Sequence, residues 1–170
     1  MASVQPLWRL CDPAGIPNMA NLVSRRQFSI EWAHCDPAGI VFNSRFYEFF
    51  DWGTWTLFAA ALGVAPAELA AAGGNDSIPV AEVGAPFLIP LVEVDAEFLA
   101  AVRFGDVVEM TSQIREFRRS SFEVEHRLSA GGELAVIGHE KRVFVVRDRT
   151  DPSIIKSLPI PIEVIKRFEA

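Results

Sequence analysis

The residues best suited to chemistry lie in one short run, His34-Cys35-Asp36-Pro37-Ala38-Gly39-Ile40-Val41-Phe42, just ahead of a long aromatic stretch from Ser44 to Leu62. Asp-Pro followed by Gly favours a turn on propensity alone, so one reading of Asp36 is a turn former. Its position gives a second reading. A carboxylate beside the N-terminus of a buried helix can attack a carbonyl or orient water, while the unpaired N–H groups and positive dipole end of the helix polarise the carbonyl oxygen. That chemistry is acyl transfer or hydrolysis without a metal. Cys35 is a rival nucleophile, yet a Cys-His enzyme needs its two side chains in contact, and neighbours such as His34 and Cys35 point apart. His34 reads as structural or pocket-lining, because no second histidine or carboxylate is spaced to make a metal site with it.

Two other groups carry charge into an otherwise apolar pattern. Arg115, Arg118 and Arg119, followed by Ser120 and Ser121, form the densest basic run. They are either a solvated hairpin end or a phosphate clamp, since guanidinium groups and hydroxyls both suit phosphate oxygens. Asp51 interrupts the aromatic stripe of the long run and is either on its exposed edge or hydrogen-bonded in a pocket. A further oddity is that Cys11-Asp12-Pro13-Ala14-Gly15-Ile16 repeats Cys35 to Ile40 but is followed by Pro17 and Asn18. With no helix after it, the first copy is expected to be non-catalytic.

The elements that must position these residues show in the periodicity. Phe28, Ile30 and Trp32 alternate with Gln27, Ser29 and Glu31, which predicts a half-buried strand over 26–32. From Asn43 to Leu62 the apolar positions recur at three and four, with Trp52 and Trp55 widening the stripe, which predicts a mostly buried helix roughly 28 Å long. Asn43 or Ser44 is a candidate cap at its start and Gly63 at its end. A short helix is expected over 65–72. The period then becomes two: strands are expected over 87–98, 107–117, the stretch from Phe122, and 134–146, with Gly131-Gly132 as a hairpin turn. Ile160 to Phe168 is expected to form a short closing helix, and residues 1–24 an irregular arm. Residues 25–170 then make a single α+β domain, an antiparallel sheet with one buried helix.

With 170 residues, half of them hydrophobic, the chain is long enough to bury one sizeable core. A formal net charge of −6 argues against a general nucleic-acid or anionic-membrane binder, so an anionic ligand must meet a local basic patch. Two cysteines, each in a copy of the same hexapeptide, suggest neither a disulfide framework nor a metal site. No apolar run approaches the roughly 18 residues of a membrane span, and a cytoplasmic protein is expected.

The order of these features resembles the 4-hydroxybenzoyl-CoA thioesterase family of hot-dog fold proteins. The likeness rests on the Cys35 to Val41 turn ahead of the central helix. It continues through Asp51, Arg118-Arg119-Ser120-Ser121-Phe122 and Glu140-Lys141-Arg142-Val143-Phe144. The resemblance implies an antiparallel sheet of about five strands wrapped around a long central helix. It implies that Asp36 is the nucleophile or general base for hydrolysis of a CoA thioester, with an aromatic acyl group of the benzoyl or 4-hydroxybenzoyl type. The backbone N–H groups of Phe42 and Asn43 would polarise the carbonyl, His34 and Asp51 would lie at the acyl pocket, and Arg118, Arg119, Ser120 and Ser121 would bind the CoA phosphates. No metal or separate cofactor is implied, coenzyme A being part of the substrate. The assembly implied is a homo-oligomer, a dimer or dimer of dimers with the site between subunits. The chain departs from the family at Asn43-Ser44, where many relatives have Tyr-Pro, and at Ser120, where relatives carry lysine. The alternatives are a non-catalytic acyl-CoA-binding or assembly protein and a CoA-thioester hydratase of the same fold.

Overall fold

The computed structural model describes residues 15–16, 21–65, 87–148, 150–151 and 154–169. Residues 66–72 of the helix expected over 65–72 and the repeat residues Cys11 and Asp12 lie outside them. In chain order the elements are β1 (Gly15–Ile16), β2 (Val23–Ser29), a 3-10 turn (Trp32–His34) and α1 (Asn43–Leu62). They continue with β3 (Phe87–Leu88), β4 (Leu91–Phe98), β5 (Val107–Arg118), β6 (Ser121–Ala130), β7 (Glu133–Val143), β8 (Val145–Arg147), β9 (Ile155–Ser157) and α2 (Ile162–Lys166). The main sheet runs β5-β6-β7-β4 with β2 and β1 both paired to β5, all antiparallel, and β3-β8-β9 forms a small second sheet.

Helix α1 lies across the inner face of the main sheet because the strands present apolar side chains there at every second position. Phe122, Val124 and Leu128 of β6 are buried, as are Val108, Met110 and Ile114 of β5. The helix answers with Phe46, Phe49, Phe50, Leu57 and Phe58, all buried. Gly63 ends it at φ 68 and supplies the left-handed residue expected there. Gly131 and Gly132 turn the β6–β7 hairpin at φ 58 and 82, positive angles that glycine adopts without strain.

The core has two apolar clusters. One gathers around Phe46, Phe49 and Phe50 near the start of α1, the other around Leu57, Phe58 and Phe122 toward its end. Between them lies a buried polar layer of Thr54, Ser112, His126, Glu140 and Arg142. Two glycines let the helix approach the sheet at this level. A Cβ on Gly53 would stand 2.5 Å from Ser112 Oγ and 2.8 Å from His126 Nδ1, and one on Gly138 would stand 2.5 Å from Phe50 Cε2. Phe50 cannot swing away, since it is fully buried and stacked on His126 at 5.1 Å and 7°. Gly138→Ala is therefore expected to lower stability by about 1–3 kcal/mol, the usual cost of overpacking. Chemical denaturation checks this, and a change within the error of the measurement would contradict the close approach.

Three local expectations are corrected. Trp32 does not continue β2; it sits in the 3-10 turn and is 61% exposed, because the chain leaves the sheet after Ser29. Neither Asn43 nor Ser44 caps α1. Phe42 occupies that position without a side-chain bond, and Asn43 Oδ1 instead accepts the adjacent Ser44 N–H at 3.0 Å. Within the stretch read as an irregular arm, Gly15–Ile16 pairs with Phe117–Arg118 of β5, and β2 already begins at Val23.

Candidate active site

The Asp36 turn is pinned at both ends. Asp36 N–H donates to Ile40 O at 2.9 Å, and Gly39 N–H donates back to Asp36 O at 2.9 Å, with Gly39 at φ 74. The Asp36 side chain takes part, its Oδ1 accepting the Ala38 N–H at 2.8 Å. Asp36 is thus a turn former and more, because the half-buried carboxylate also lines a cleft of about 520 Å³. One wall of the cleft is Ile40 to Asn43 with Phe46, the other runs from Phe98, the last residue of the edge strand β4, to Val102. A Val41 N–H to Val102 O bond of 2.8 Å ties the walls together.

At the start of α1 the supply of free amides is narrower than expected. Phe42 N–H is spent on His34 O at 3.0 Å, and Ser44 N–H is taken by the Asn43 side chain. Asn43 is the first helical residue, so its N–H has no intrahelical acceptor. Asp36 and Asn43 thus line one cleft, an acidic residue together with the first residue, at the positive end, of a 20-residue helix. That pairing can activate a nucleophile and stabilise negative charge developing on a carbonyl oxygen.

His34 is placed by packing. Its Nδ1 accepts the Glu31 N–H at 3.0 Å, and its ring meets Phe49 and Trp52 edge-on at 5.3 and 6.5 Å. It lies outside the lining of the Asp36 cleft. Cys35 Sγ points to the Glu31 carbonyl at 3.7 Å. Asp51 faces a different cavity of about 360 Å³ on α1, where Arg142 Nη2 donates to its Oδ1 at 2.6 Å.

The basic run divides. Arg118 is bound to Glu116 at 2.8 Å and Glu123 at 3.1 Å, whereas Arg119 is exposed at the β5–β6 turn. Ser120 and Ser121 are 1% and 0% exposed, and Ser121 Oγ is buried without a hydrogen-bond partner. The surface here is arginine, not hydroxyl.

Sequence reasoning did not find the polar layer as a functional unit. Glu140 Oε2 accepts from Thr54 Oγ1 at 2.6 Å and from Arg142 Nε at 2.9 Å, and lies 3.4 Å from His126 Nε2. Burial pushes His126 below its ordinary pKa, so the imidazole is neutral. Burial alone would raise the Glu140 carboxyl, but the His126 and Arg142 hydrogen bonds outweigh it and hold it down to about 2. An ionised Glu140 requires the proton on His126 Nε2, which leaves Nδ1 to accept from Ser112 Oγ at 2.8 Å. The available signal was His126 on the apolar face of β6, between Val124 and Leu128.

The family model described as the thioesterase-like superfamily matches residues 30–168. Among solved structures, a gentisyl-coenzyme A thioesterase is 27% identical with a TM-score of 0.65, over 85% of this chain and 99% of that one. The 4-hydroxybenzoyl CoA thioesterase from Pseudomonas sp. strain CBS-3 is 27% identical with a TM-score of 0.67, over 85% of this chain and 98% of that one. A 1,4-dihydroxy-2-naphthoyl-CoA thioesterase from Synechocystis shares the fold at 15% identity and a TM-score of 0.62, over 86% and 95% of the two chains. The architecture is that of the hot-dog fold. Comparison with curated proteins gives no match. Among the described residues, no helix is long and apolar enough to cross a membrane.

Proposed function

This chain belongs to the thioesterase-like superfamily, and on that premise we propose that it hydrolyses an aromatic acyl-CoA thioester through Asp36. The observation that carries the reading is the cleft that Asp36 shares with Asn43, the first residue of α1. Asp36 either takes a proton from the attacking water or attacks the carbonyl carbon itself, and in both routes the carbonyl oxygen gains negative charge opposite the Asn43 N–H. The bond that breaks is C–S; CoA leaves as the thiolate and takes up a proton, and water supplies the oxygen of the acid. The balance requires no metal or redox cofactor.

An aromatic acyl group is supported by the apolar walls of the cleft, which include Phe42, Phe46 and Phe98, and by the relatives, which act on hydroxylated aromatic thioesters. Asp51 lies eight residues beyond Asn43, about 12 Å along the helix, farther than a benzoyl ring extends from its own carbonyl. An acyl group held at Asn43 would therefore meet Asp51 of a second copy. A homo-oligomer with the site between subunits, a dimer or dimer of dimers acting in the cytoplasm, is the assembly that fits. The edge strand β4, with Phe98 48% exposed and Leu91 38% exposed, offers it a surface. His34 would then support the pocket through Phe49 and Trp52.

A panel of benzoyl-, hydroxybenzoyl-, naphthoyl- and straight-chain acyl-CoA thioesters tests the reading by CoA release. The aromatic members are expected to give the highest kcat/KM, and aliphatic members turning over faster would overturn the assignment of the acyl group. Arg119, with Arg118 behind it, is assigned to the CoA phosphates; Ser120 and Ser121 would serve by shaping the turn. Loss of a charge-assisted contact is expected to raise KM in Arg119→Ala about 10-fold or more, with kcat nearly unchanged. The matching pantetheine thioester, which lacks the nucleotide, is expected to show no such change. An equal effect on both substrates would contradict the clamp.

A further inference from the structure

The polar layer inside the core emerges at the cavity that holds Asp51. Arg142 is its pivot: the side chain is 4% exposed and carries a charge that the interior must balance. Four of its five N–H groups are engaged. Nε and Nη2 grip Glu140 Oε2 and Oε1 at 2.9 and 2.8 Å, Nη1 donates to Ile89 O at 3.1 Å, and Nη2 donates to Asp51 Oδ1 at 2.6 Å. Glu140, itself held by Thr54 and His126, already neutralises the guanidinium. Asp51 is thus the excess charge at the cavity wall, its side chain 46% exposed toward a space also walled by Tyr47 and Trp52. The neighbouring Glu48 is balanced by Arg45 at 2.6 Å. Arg142 therefore has little left with which to receive a carboxylate from a ligand.

We propose that Arg142 is a positioning residue: seated on Glu140, it fixes the Asp51 carboxylate at the cavity wall, and the cavity thereby rejects acyl groups that carry a negative charge. The proposal rests on the reading that Asp51 faces the acyl group. A mobile carboxylate could swing aside for an anionic ring substituent, whereas one clamped by a buried bidentate pair cannot.

The test measures binding, so that it does not depend on turnover. Calorimetry gives Kd for two thioethers that cannot be hydrolysed, S-benzyl-CoA and S-(4-carboxybenzyl)-CoA, with wild type, Asp51→Asn, Arg142→Lys and the double variant. Wild type is expected to favour the neutral thioether by about 10-fold or more, the scale of one charge–charge repulsion in a partly desolvated site. Asp51→Asn is expected to remove most of that preference, the two Kd values being compared within each variant so that a change common to both ligands cancels. Arg142→Lys keeps the charge but cannot span Glu140 and Asp51 together, so the preference should fall, and the double variant should match Asp51→Asn alone. If Arg142→Lys does not fold, Thr54→Val takes its place, since it removes the Thr54 Oγ1 bond to Glu140 Oε2 and loosens the same seat without changing any charge. No preference in wild type, or a preference unchanged in Asp51→Asn or in the variant that loosens Arg142, would overturn the proposal. Parallel thioester assays keep the two readings apart: a preference without hydrolysis sinks only the thioesterase reading, and hydrolysis without a preference sinks only this one.

Discussion

Asp36→Asn is expected to lower kcat for thioester hydrolysis by about 10²–10⁴-fold, the range lost with a positioned general base, while KM changes little. The reason lies in what asparagine keeps. Its Oδ1 can still accept the Ala38 N–H that Asp36 accepts at 2.8 Å, so the turn and the Asn43 amide stay in place. What disappears is the negative charge, and with it the ability to take a proton or to form a covalent bond to the acyl carbon. Residual activity should come from the Asn43 amide and binding alone. Equal losses in kcat and thermal stability would instead mean that Asp36 is only the turn former its propensity allows.

The second large effect is on stability. Glu140→Ala strands the Arg142 guanidinium in the core without its carboxylate, and removing one member of a buried ion pair costs about 3–5 kcal/mol. That is a large share of the roughly 5–15 kcal/mol by which domains are stable, and the melting temperature should fall by about 10 °C or more. The same pair makes the fold acid-labile. The Glu140 carboxyl is held at about 2 in the folded protein against an ordinary 4.5, so its stabilisation is present above about pH 4.5 and is lost as the pH falls toward 2. The difference corresponds to about 3 kcal/mol. His126 acts in the same sense. Its folded pKa lies below the ordinary 6.5, so the unfolded chain takes up a proton first, and stability declines as the pH drops below that value. Denaturant titrations between pH 7 and 3 check both slopes. A Glu140→Ala variant as stable as wild type would remove the buried pair from the account.

Much of this architecture was legible in local pattern. The three-and-four spacing located α1 to within a residue at each end, and the alternation along 122–128 placed Phe122, Val124, His126 and Leu128 on one buried face. Asp36 stood out because Asp-Pro-Ala-Gly preceded that helix. Alternation, however, assigns a face and not a partner. It did not show that His126 lies beside Ser112 on β5 and Gly138 on β7, a pairing that closes the polar layer around Glu140. Nor could spacing reveal that Arg142 reaches 91 positions back to Asp51. Trp32 was misplaced because a 3-10 turn continues the alternation by coincidence. The small second sheet escaped because its strands, of two and three residues, are too short to show a period. Spacing was equally silent on the Phe42 N–H, which the folded turn directs to His34 O.

The most direct test of the account compares CoA release from the best aromatic thioester by wild type, Asp36→Asn and Cys35→Ser, each shown by melting to be folded. The account predicts rapid release by wild type and Cys35→Ser and a collapse of the rate in Asp36→Asn. Wild-type release that survives in Asp36→Asn, or fails only in Cys35→Ser, would contradict it.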